Sequence, residues 1–445
     1  MAVAPERTRL TWDYSPAPES ADHVRLRDSY GVFVGGEFAD PRSGKAAPTV
    51  NPATEERIAQ VAIAGEEDIA HAVQVAREAQ RKWAALPGLE RGKYLFRIAR
   101  LMQERARELA VVETMDGGKP IRESRDIDIP LAAAHFFHYA GWADKISYGI
   151  AGREHRPHGV VAQIVPWNFP LLMAAWKLAP ALACGNAAIL KPADTTPLTA
   201  LLLAEICQEA ELPPGVVSIL PGDRATGAAL VRAEGIDKVA FTGSTAVGKD
   251  IQAALAGRDV GLTLELGGKS ANIIFEDAAI DQAVEGIVQG IFFNQGHVCC
   301  AGSRLLVQES VVEQVEAKLW ERMQKLRLGD PLDKNTDVGA VNSGEQLERI
   351  ETLVAAGEEE GAVRRSVACE IPERGHWFAP TMFTEVSPVH RIAVEEIFGP
   401  VVSILTFRTQ AEAIEKANNS KYGLAAGIWT DKGGKAFEVA SQLQA

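Results

Sequence analysis

GVVAQIVP (residues 159–166) opens a series of five short apolar runs that decides the fold. The other four are AAILKP (187–192), VVSILPG (216–222), KVAFTGS (238–244) and LTLELGG (262–268), and stretches with helical character separate them. Strands that are buried on both faces read as continuous apolar runs, and their alternation with helices indicates right-handed crossovers. Residues 159–268 therefore predict an α/β domain built on a parallel sheet.

A second strand-helix series follows this domain. Its predicted strands are ANIIF (271–275), SRLLVQ (303–308) and 424–430, and its predicted helices cover about 279–293, 310–327 and 344–357. Residues 380–402 are interrupted by prolines and a glycine, and we expect them to be largely loop. Ahead of both series, VFVGGEF (32–38) alternates around two glycines and predicts a hairpin, and two amphipathic helices follow it.

Composition narrows the functional classes. The chain has 445 residues, of which 47% are hydrophobic and 24% charged, and its formal net charge is -13. These values are typical of a globular protein and offer no basic surface for nucleic acid or an anionic membrane. Five cysteines without a CxxC pair predict neither a disulfide framework nor a metal site. We therefore expect a small-molecule substrate.

Two stretches of the sequence bear on where the protein is located. The first ten residues lack the apolar region of a signal peptide. The longest apolar stretch, residues 171–190, is interrupted by Lys177, Pro180 and Gly185, which argues against a membrane span. The sequence thus predicts a cytoplasmic protein without a membrane partner.

Polar residues directly after the predicted strands are the candidate site residues, because ligands of a parallel sheet bind beyond the carboxyl ends of its strands. They are Trp167, Asn168, Lys191, Asp194, Gly222, Gly243, Ser244 and Glu265. The prolines around Asn168 stiffen its loop, so its amide N–H could be aimed at a developing oxyanion. Glu265 stands before two glycines and is either a general base or a paired surface charge.

Three loops, two of which contain residues named above, have the residue types of a nucleotide-binding site. Gly243 and Ser244 lie between a strand and a helix, where free main-chain N–H groups bind phosphate, although such turns carry glycine for steric reasons as well. Lys191 and Asp194 either grip ribose hydroxyls or form a surface ion pair. EEIFGP (395–400) combines carboxylates with an aromatic ring, which is equally compatible with a capped turn.

The stretch FFNQGHVCCAGSR (292–304) contains two adjacent cysteines, Cys299 and Cys300. A cysteine in a glycine-containing loop can present its sulfur to a cleft, whereas free cysteines are among the most buried residue types. The histidine pairs at 135–138 and 155–158 lack a carboxylate or cysteine at ligand spacing. We interpret these histidines as packing residues and expect no metal site.

The chain resembles the aldehyde dehydrogenase superfamily, the NAD(P)-dependent non-phosphorylating enzymes, in the order and spacing of six motifs: IVPWNFP, LKPAD, FTGSTAVG, LELGGKS, FFNQGHVCCAGSR and EEIFGP. The resemblance runs from about residue 32 to the last residue. It implies a Rossmann-like parallel-sheet cofactor domain, a second α/β catalytic domain that carries the thiol, and a small oligomerisation element.

The resemblance also implies domain boundaries. Residues 1–28 are an amino-terminal extension, and residues 29–141 and 159–268 form the NAD-binding domain. Residues 142–158 are a bridging hairpin used in oligomerisation. Residues 269–445 form the catalytic domain, which we expect to be incomplete at its carboxyl end.

By this resemblance, Cys299 matches the nucleophile, since it is the third residue after Gly296, and Cys300 is its neighbour. Glu265 matches the general base and Asn168 the oxyanion donor. The implied cofactor contacts are Lys191 and Asp194 on the adenosine ribose, Trp167 and Ser244 (with Gly243) on the pyrophosphate, and Glu396 on the nicotinamide ribose with Phe398 packed nearby.

The implied reaction oxidises an aldehyde to a carboxylic acid through a cysteine thiohemiacetal and a thioester, in a homodimer or homotetramer. Asp194 stands where the family usually has Glu, and its charge repels a 2′-phosphate, which favours NAD over NADP. His297 replaces the usual Gln or Glu, and we expect it to alter the acidity of the thiol or the shape of the tunnel. The alternatives are a CoA-acylating dehydrogenase, which the presence of Glu265 disfavours, and a catalytically weak scaffold, which Cys299 and Glu265 together disfavour.

Overall fold

The computed structural model describes residues 15–149 and 155–445. Its strands are β1 (Ser29–Tyr30), β2 (Val32–Val34), β3 (Glu37–Ala39), β4 (Ala46–Val50), β5 (Arg57–Ala62), β6 (Val160–Ile164), β7 (Ala187–Lys191), β8 (Val217–Ile219), β9 (Lys238–Thr242), β10 (Gly261–Glu265), β11 (Ala271–Ile274), β12 (Arg304–Gln308), β13 (Val363–Ser366), β14 (Thr381–Thr384), β15 (Val401–Phe407) and β16 (Ala426–Trp429).

Helices cover the sheets on both sides. They are α1 (Glu66–Ala85), α2 (Gly88–Glu104), α3 (Ala106–Gly117), α4 (Ile121–Glu123), α5 (Ile129–Trp142), α6 (Ile146–Gly149), α7 (Pro170–Ala183), α8 (Leu198–Glu209), α9 (Arg224–Arg232), α10 (Thr245–Leu255), α11 (Ile280–Phe292), α12 (Val312–Met323), α13 (Gly344–Glu359), α14 (Arg391–Val394), α15 (Gln410–Asn418) and α16 (Gly433–Ala440). A π-helical turn, Ser124–Asp128, joins α4 to α5, and a 3-10 turn, Phe293–Gly296, follows α11.

The larger, seven-stranded sheet has the order β10-β9-β6-β7-β8-β2-β3. β10, β9, β6, β7 and β8 run parallel, and β2 and β3 form an antiparallel hairpin at one edge. β6 and β7 are buried at every position, because helices pack on both faces of the sheet. The predicted parallel sheet and hairpin are confirmed.

The six-stranded sheet has the order β13-β14-β15-β12-β11-β16, with only β13 antiparallel to its neighbour. Residues 380–402 contain β14 and the start of β15, so the expectation of loop there is wrong in part. Met382 and Phe383 of β14 are fully buried. This burial outweighs the prolines on either side of the strand.

The segment at residues 142–158, predicted as a bridging hairpin, includes residues 150–154, which lie outside the described residues. Its described part contains the short helix α6 and no strand, so the hairpin and its role in oligomerisation stay predictions. Nearby, His135 stacks on Trp176 with ring centroids 5.4 Å apart, and exposed His138 packs edge-on against a tyrosine. Both histidines pack on aromatic rings, but at the surface rather than in the core.

Among residues 15–149 and 155–445, no helix is both long and apolar enough to cross a membrane.

A third, three-stranded sheet with the order β1-β5-β4 was not predicted, because its strands are short and half polar. A buried carboxyl group ties it to the helices. Asp116 near the end of α3 accepts hydrogen bonds from Thr49 Oγ1 of β4 at 2.6 Å and from the main-chain N–H of Leu198 at 2.9 Å. Burial raises the pKa of Asp116 to about 7, although these two bonds oppose the rise.

We predict that Asp116 makes the protein less stable as pH rises. Its folded pKa is raised above the unfolded value of 3.8, so the folded state binds more protons between these values and its stabilisation is lost as pH rises through about 7. Asp116→Asn can still donate to Thr49 and accept from Leu198. As pH rises from about 5 to 8, the midpoint urea concentration of unfolding should therefore fall less for Asp116→Asn than for the wild type. Equal falls in the two proteins would contradict the assignment.

Candidate active site

The carboxyl ends of the parallel strands meet at one edge of the seven-stranded sheet, and the candidate loops lie there as predicted. Trp167 and Asn168 follow β6, Lys191 ends β7, Ser244 follows β9, and Glu265 ends β10. The cysteine loop after α11 approaches this edge from the second sheet.

The cysteine loop begins with three consecutive residues in the left-handed region. Asn294, Gln295 and Gly296 have φ values of 48°, 53° and 75°, and this conformation is costly for the two residues that are not glycine. A Cβ at Gly296 would collide with the carbonyl oxygen of Gly399. Gln295 Nε2 donates to the carbonyl oxygen of Ala340 at 3.0 Å, which helps to hold the turn.

Reciprocal hydrogen bonds join the Asn168 loop to the cysteine loop. Asn168 Nδ2 donates to the carbonyl oxygen of His297 at 2.7 Å, and Asn294 Nδ2 donates to the carbonyl oxygen of Asn168 at 2.7 Å. All three residues are buried. An amide carries two N–H donors, and one of those of Asn168 has no acceptor among the described residues.

The glycine loop after β10 packs against both the thiol segment and Glu396. A Cβ at Gly268 would collide with the carbonyl oxygen of Cys299, and one at Gly267 would collide with the Glu396 carboxylate. Glu396 Oε1 accepts a hydrogen bond from the main-chain N–H of Gly268 at 3.0 Å, and burial raises the pKa of its carboxyl group. The two glycines therefore allow a close approach that a side chain would prevent.

The two adjacent thiols are hydrogen-bonded to each other. This bond raises the pKa of Cys299, with burial adding to the rise, and it lowers the pKa of Cys300 to about 6. Their locations differ: Cys299 lies near the Glu396 carboxylate, whereas exposed Cys300 lines a cavity of about 310 Å³ beside Trp429.

Glu265 faces a cavity of about 930 Å³ that Lys177 of α7 also lines. Burial lowers the pKa of Lys177 to about 8, and the nearby Glu265 carboxylate opposes this change. None of the hydrogen bonds of the described residues connects Glu265 to Cys299. The structure therefore places Glu265 at the predicted sheet edge, beside a lysine, without direct contact to the thiol.

Lys191 is buried at the end of β7 with two carboxylates near its ammonium group. Burial lowers the pKa of Lys191, and the charges of Asp194 and Asp223 oppose this change. Asp223 also caps α9 by accepting a hydrogen bond from the main-chain N–H of Thr226 at 3.0 Å. One cation with two carboxylates suits ribose hydroxyls better than a further phosphate group.

Ser244 begins the helix that points at the same edge. Its Oγ accepts a hydrogen bond from the main-chain N–H of Val247 at 3.4 Å, as the N-cap of α10. Gly243 packs against the ring of Phe241 so closely that a Cβ there would require a shift. The first N–H groups of α10 can thereby face an anion at the sheet edge.

His297 lies between two aromatic rings of the site. Its ring centroid is 4.7 Å from that of Trp167, edge-on, and 5.8 Å from that of Phe398, stacked. The side chain is 1% exposed, and its Nε2 has no hydrogen-bond partner among the described residues. Burial lowers the pKa of His297 to about 3, with a smaller contribution from Lys119, so the imidazole is neutral near pH 7.

Comparison with known proteins identifies the family. The model of the aldehyde dehydrogenase family matches residues 38–445. The chain belongs to the aldehyde dehydrogenase family. Human retinal dehydrogenase 2 is 45% identical to it, over 93% of this chain and 82% of that protein.

Solved structures agree with the α/β fold of this aldehyde dehydrogenase. The NAD+ complex of an aldehyde dehydrogenase from Bacillus cereus has a TM-score of 0.91 and 42% identity, covering 95% of this chain and 90% of that one. The aldehyde dehydrogenase KauB from Pseudomonas aeruginosa has a TM-score of 0.91 and 40% identity, covering 94% of this chain and 88% of that one.

Four residues near the candidate site are not predicted from the sequence: Lys177, Asp223, Lys119 and Glu123. Lys177 has a detectable signal, because it is the one charged residue in the apolar stretch 171–190. Lys119 and Glu123 follow a glycine pair and read as ordinary surface charges. Only the structure shows that both are buried and contact the Asn168 loop and the cysteine loop.

We predict that His297→Gln leaves the acidity of the Cys299 thiol unchanged. A neutral imidazole supplies no positive charge to a thiolate. The rate of Cys299 alkylation by iodoacetamide is followed against pH by peptide mass spectrometry. The profiles of the wild type and of His297→Gln should coincide within about 0.3 pH unit. Cys299→Ser identifies the labelled peptide. A profile displaced by about one unit would show that His297 does tune the thiol.

Proposed function

We propose that this aldehyde dehydrogenase oxidises a small-molecule aldehyde to a carboxylic acid with NAD, through a thiohemiacetal and then a thioester on Cys299. The observation that carries the proposal is the bond from Asn168 Nδ2 to the carbonyl oxygen of His297, two residues before Cys299. It brings an amide donor and a thiol from different domains to one sheet edge. A carboxylate at the same edge, Glu265, completes the set.

The first step is attack of the Cys299 thiolate on the aldehyde carbonyl carbon. A C–S bond forms, and the carbonyl π electrons move to oxygen as an oxyanion. The second N–H of Asn168 is assigned to this oxyanion, and one such donor lowers the barrier by about 3 kcal/mol. NAD, held by the residues assigned to it below, would supply the hydride acceptor for this oxidation.

Glu265 is assigned to the second half of the reaction. As general base it takes a proton from water, the resulting hydroxide adds to the thioester carbonyl, and the C–S bond breaks to release the acid and the Cys299 thiolate. The assignment is supported by the position of Glu265 two residues before the glycines that touch Cys299 and Glu396. Neighbouring Lys177, with its pKa lowered to about 8, can accept or return a proton near pH 7.

The residues present fit NAD. Lys191 and Asp194 are assigned to the adenosine ribose, and the α10 N-terminus with Ser244 and Trp167 to the pyrophosphate. Glu396, together with Phe398, is assigned to the nicotinamide end. The NAD+ complex of the Bacillus cereus relative supports this choice. The carboxylates of Asp194 and Asp223 near Lys191 disfavour the extra phosphate of NADP.

The proposal extends to the assembly and the location of the protein. The family resemblance supports a homodimer or homotetramer. All five cysteines are unpaired, which supports a reducing compartment such as the cytoplasm.

We predict that Cys299, not Cys300, is the nucleophile. Cys299→Ser should lower the rate of NADH formation by about three orders of magnitude or more, because a hydroxyl lacks a thiolate's nucleophilicity. Cys300→Ala should keep the rate within about tenfold, since the attacking sulfur of Cys299 is retained. The assay follows NADH absorbance with NAD and a panel of aliphatic and aromatic aldehydes, including retinal. If Cys300→Ala were inactive and Cys299→Ser were active, Cys300 would be the nucleophile.

We predict that Glu265→Gln separates the two halves of the reaction. The variant should release about one NADH per active site in a burst and then stall, because the thioester forms but is not hydrolysed. Stopped-flow absorbance measures the burst, and mass spectrometry detects the acyl group on Cys299. Glu276→Gln, at an exposed carboxylate after β11, is the matched control.

Unchanged steady turnover of Glu265→Gln would show that another group is the base. Product analysis tests the CoA-acylating alternative in the same assay. Free acid is expected from the wild type whether or not CoA is present, whereas acyl-CoA would point to that alternative.

A further inference from the structure

Residues 118–128 link α3 to α5 and lie beneath both catalytic loops. The segment contains α4 and the π-helical turn Ser124–Asp128, and π-helical turns occur frequently at functional sites. Lys119 is 1% exposed, and Glu123 and Asp128 are buried as well. Charged side chains are almost never so buried without partners. Lys119 and Glu123 have partners in the Asn168 and cysteine loops, and Asp128 pairs with Lys119.

The ammonium group of Lys119 contacts two successive residues of the Asn168 loop. Its Nζ donates to the main-chain carbonyl oxygen of Asn168 at 3.3 Å and lies 4.2 Å from the ring centroid of Phe169. The ammonium group also forms a buried ion pair with Asp128. Lys119 therefore restrains the main chain that carries the oxyanion donor.

Glu123 contacts the cysteine loop in a comparable way. Its Oε2 accepts a hydrogen bond from the main-chain N–H of Asn294 at 2.9 Å. In the same segment, the carbonyl oxygen of Gly118 accepts one from Gln295 Nε2 at 3.4 Å. Asn294 and Gln295 are the two non-glycine residues in the left-handed region, so the segment supports the loop where its conformation is most costly.

We propose that Lys119 and Glu123 are positioning residues of the reaction: Lys119 fixes the main chain of Asn168, and Glu123 fixes that of Asn294, so that the Asn168 amide and the Cys299 sulfur keep their relative positions. Neither residue contacts the reacting atoms in this scheme. The inference rests on the proposed function, because it takes Asn168 as the oxyanion donor.

The competing explanation is that the segment contributes stability alone. Both explanations predict that the loss of Lys119 lowers the melting temperature. They differ in how that loss combines with the loss of Asn168. A residue that acts through the Asn168 amide has nothing left to position once that amide is gone, so the two effects on the rate should not add.

The test is a double-mutant cycle on the full chain with Lys119→Met and Asn168→Ala. A misplacement of about 1 Å can cost on the order of 10²-fold in rate. We expect Lys119→Met to lower the NADH burst rate by about ten- to hundredfold in the wild-type background and by less than about threefold in the Asn168→Ala background. NAD affinity, measured by fluorescence quenching, should stay within about twofold in all proteins.

Arg122→Met is the matched control, because Arg122 lies in the same segment but forms its ion pair with Asp337 and, among the described residues, makes no hydrogen bond to the Asn168 loop or the cysteine loop. It should leave the burst rate unchanged. If Lys119→Met does not fold, Lys119→Met/Asp128→Asn takes its place, since it removes the uncompensated buried charge as well. Equal losses in the two backgrounds, or no loss in the wild-type background, would overturn the proposal.

A second substrate separates failure of this inference from failure of the proposed function. Attack of Cys299 on p-nitrophenyl acetate places an oxyanion beside Asn168, releases p-nitrophenolate and needs no hydride transfer. The double-mutant cycle with Lys119→Met and Asn168→Ala should also give non-additive losses of rate with this ester. If the wild type cleaves the ester but oxidises no aldehyde, the proposed function fails while the cycle still decides the role of Lys119.

Discussion

The reciprocal hydrogen bonds between Asn168 and the cysteine loop are the interaction on which the rest of the site depends. Asn168 belongs to the domain of the seven-stranded sheet, and Asn294 and His297 lead into the second domain. Each bond is 2.7 Å long and buried, and a buried hydrogen bond is both stronger and more costly to leave unmade than one in water. The alignment of donor and thiol thus depends on how the two domains meet.

That alignment requires a sharp turn after α11 with an unfavourable backbone conformation. A helix that ended in the ordinary way would not bring Cys299 under the glycine loop after β10, where Gly268 leaves room for its carbonyl oxygen. Asn294 and Gln295 therefore adopt a left-handed conformation that is unfavourable for each of them. Such a conformation persists only when its surroundings fix it from several directions, and here bonds to Glu123, Gly118 and Ala340 do so.

The sequence predicts those features that depend on local patterns. Five apolar runs predict the parallel strands, and the position of polar residues after them predicts that Asn168, Lys191 and Ser244 share one sheet edge. β14 was missed because its burial outweighs the prolines beside it. Lys119 and Lys177 could not be assigned, because their importance comes from packing between segments far apart in sequence. The sequence also left open how His297 acts, and burial between two rings makes it a neutral packing group.

The charged and polar groups around Cys299 decide how readily its thiol ionises. The groups that act on Cys299 in the structure mostly disfavour its thiolate: burial, the neighbouring Cys300 sulfur and the Glu396 carboxylate all raise its pKa, and the main-chain N–H of Cys300 opposes them. His297 carries no charge to offset this, and Lys119 is directed at a carbonyl group instead. The pKa of the exposed partner thiol, Cys300, is lowered to about 6, so of the two sulfurs it is the one whose ionisation is favoured. The groups around Cys299 in this structure therefore disfavour its ionisation, so the attacking thiolate is a minor species of the thiol near neutral pH.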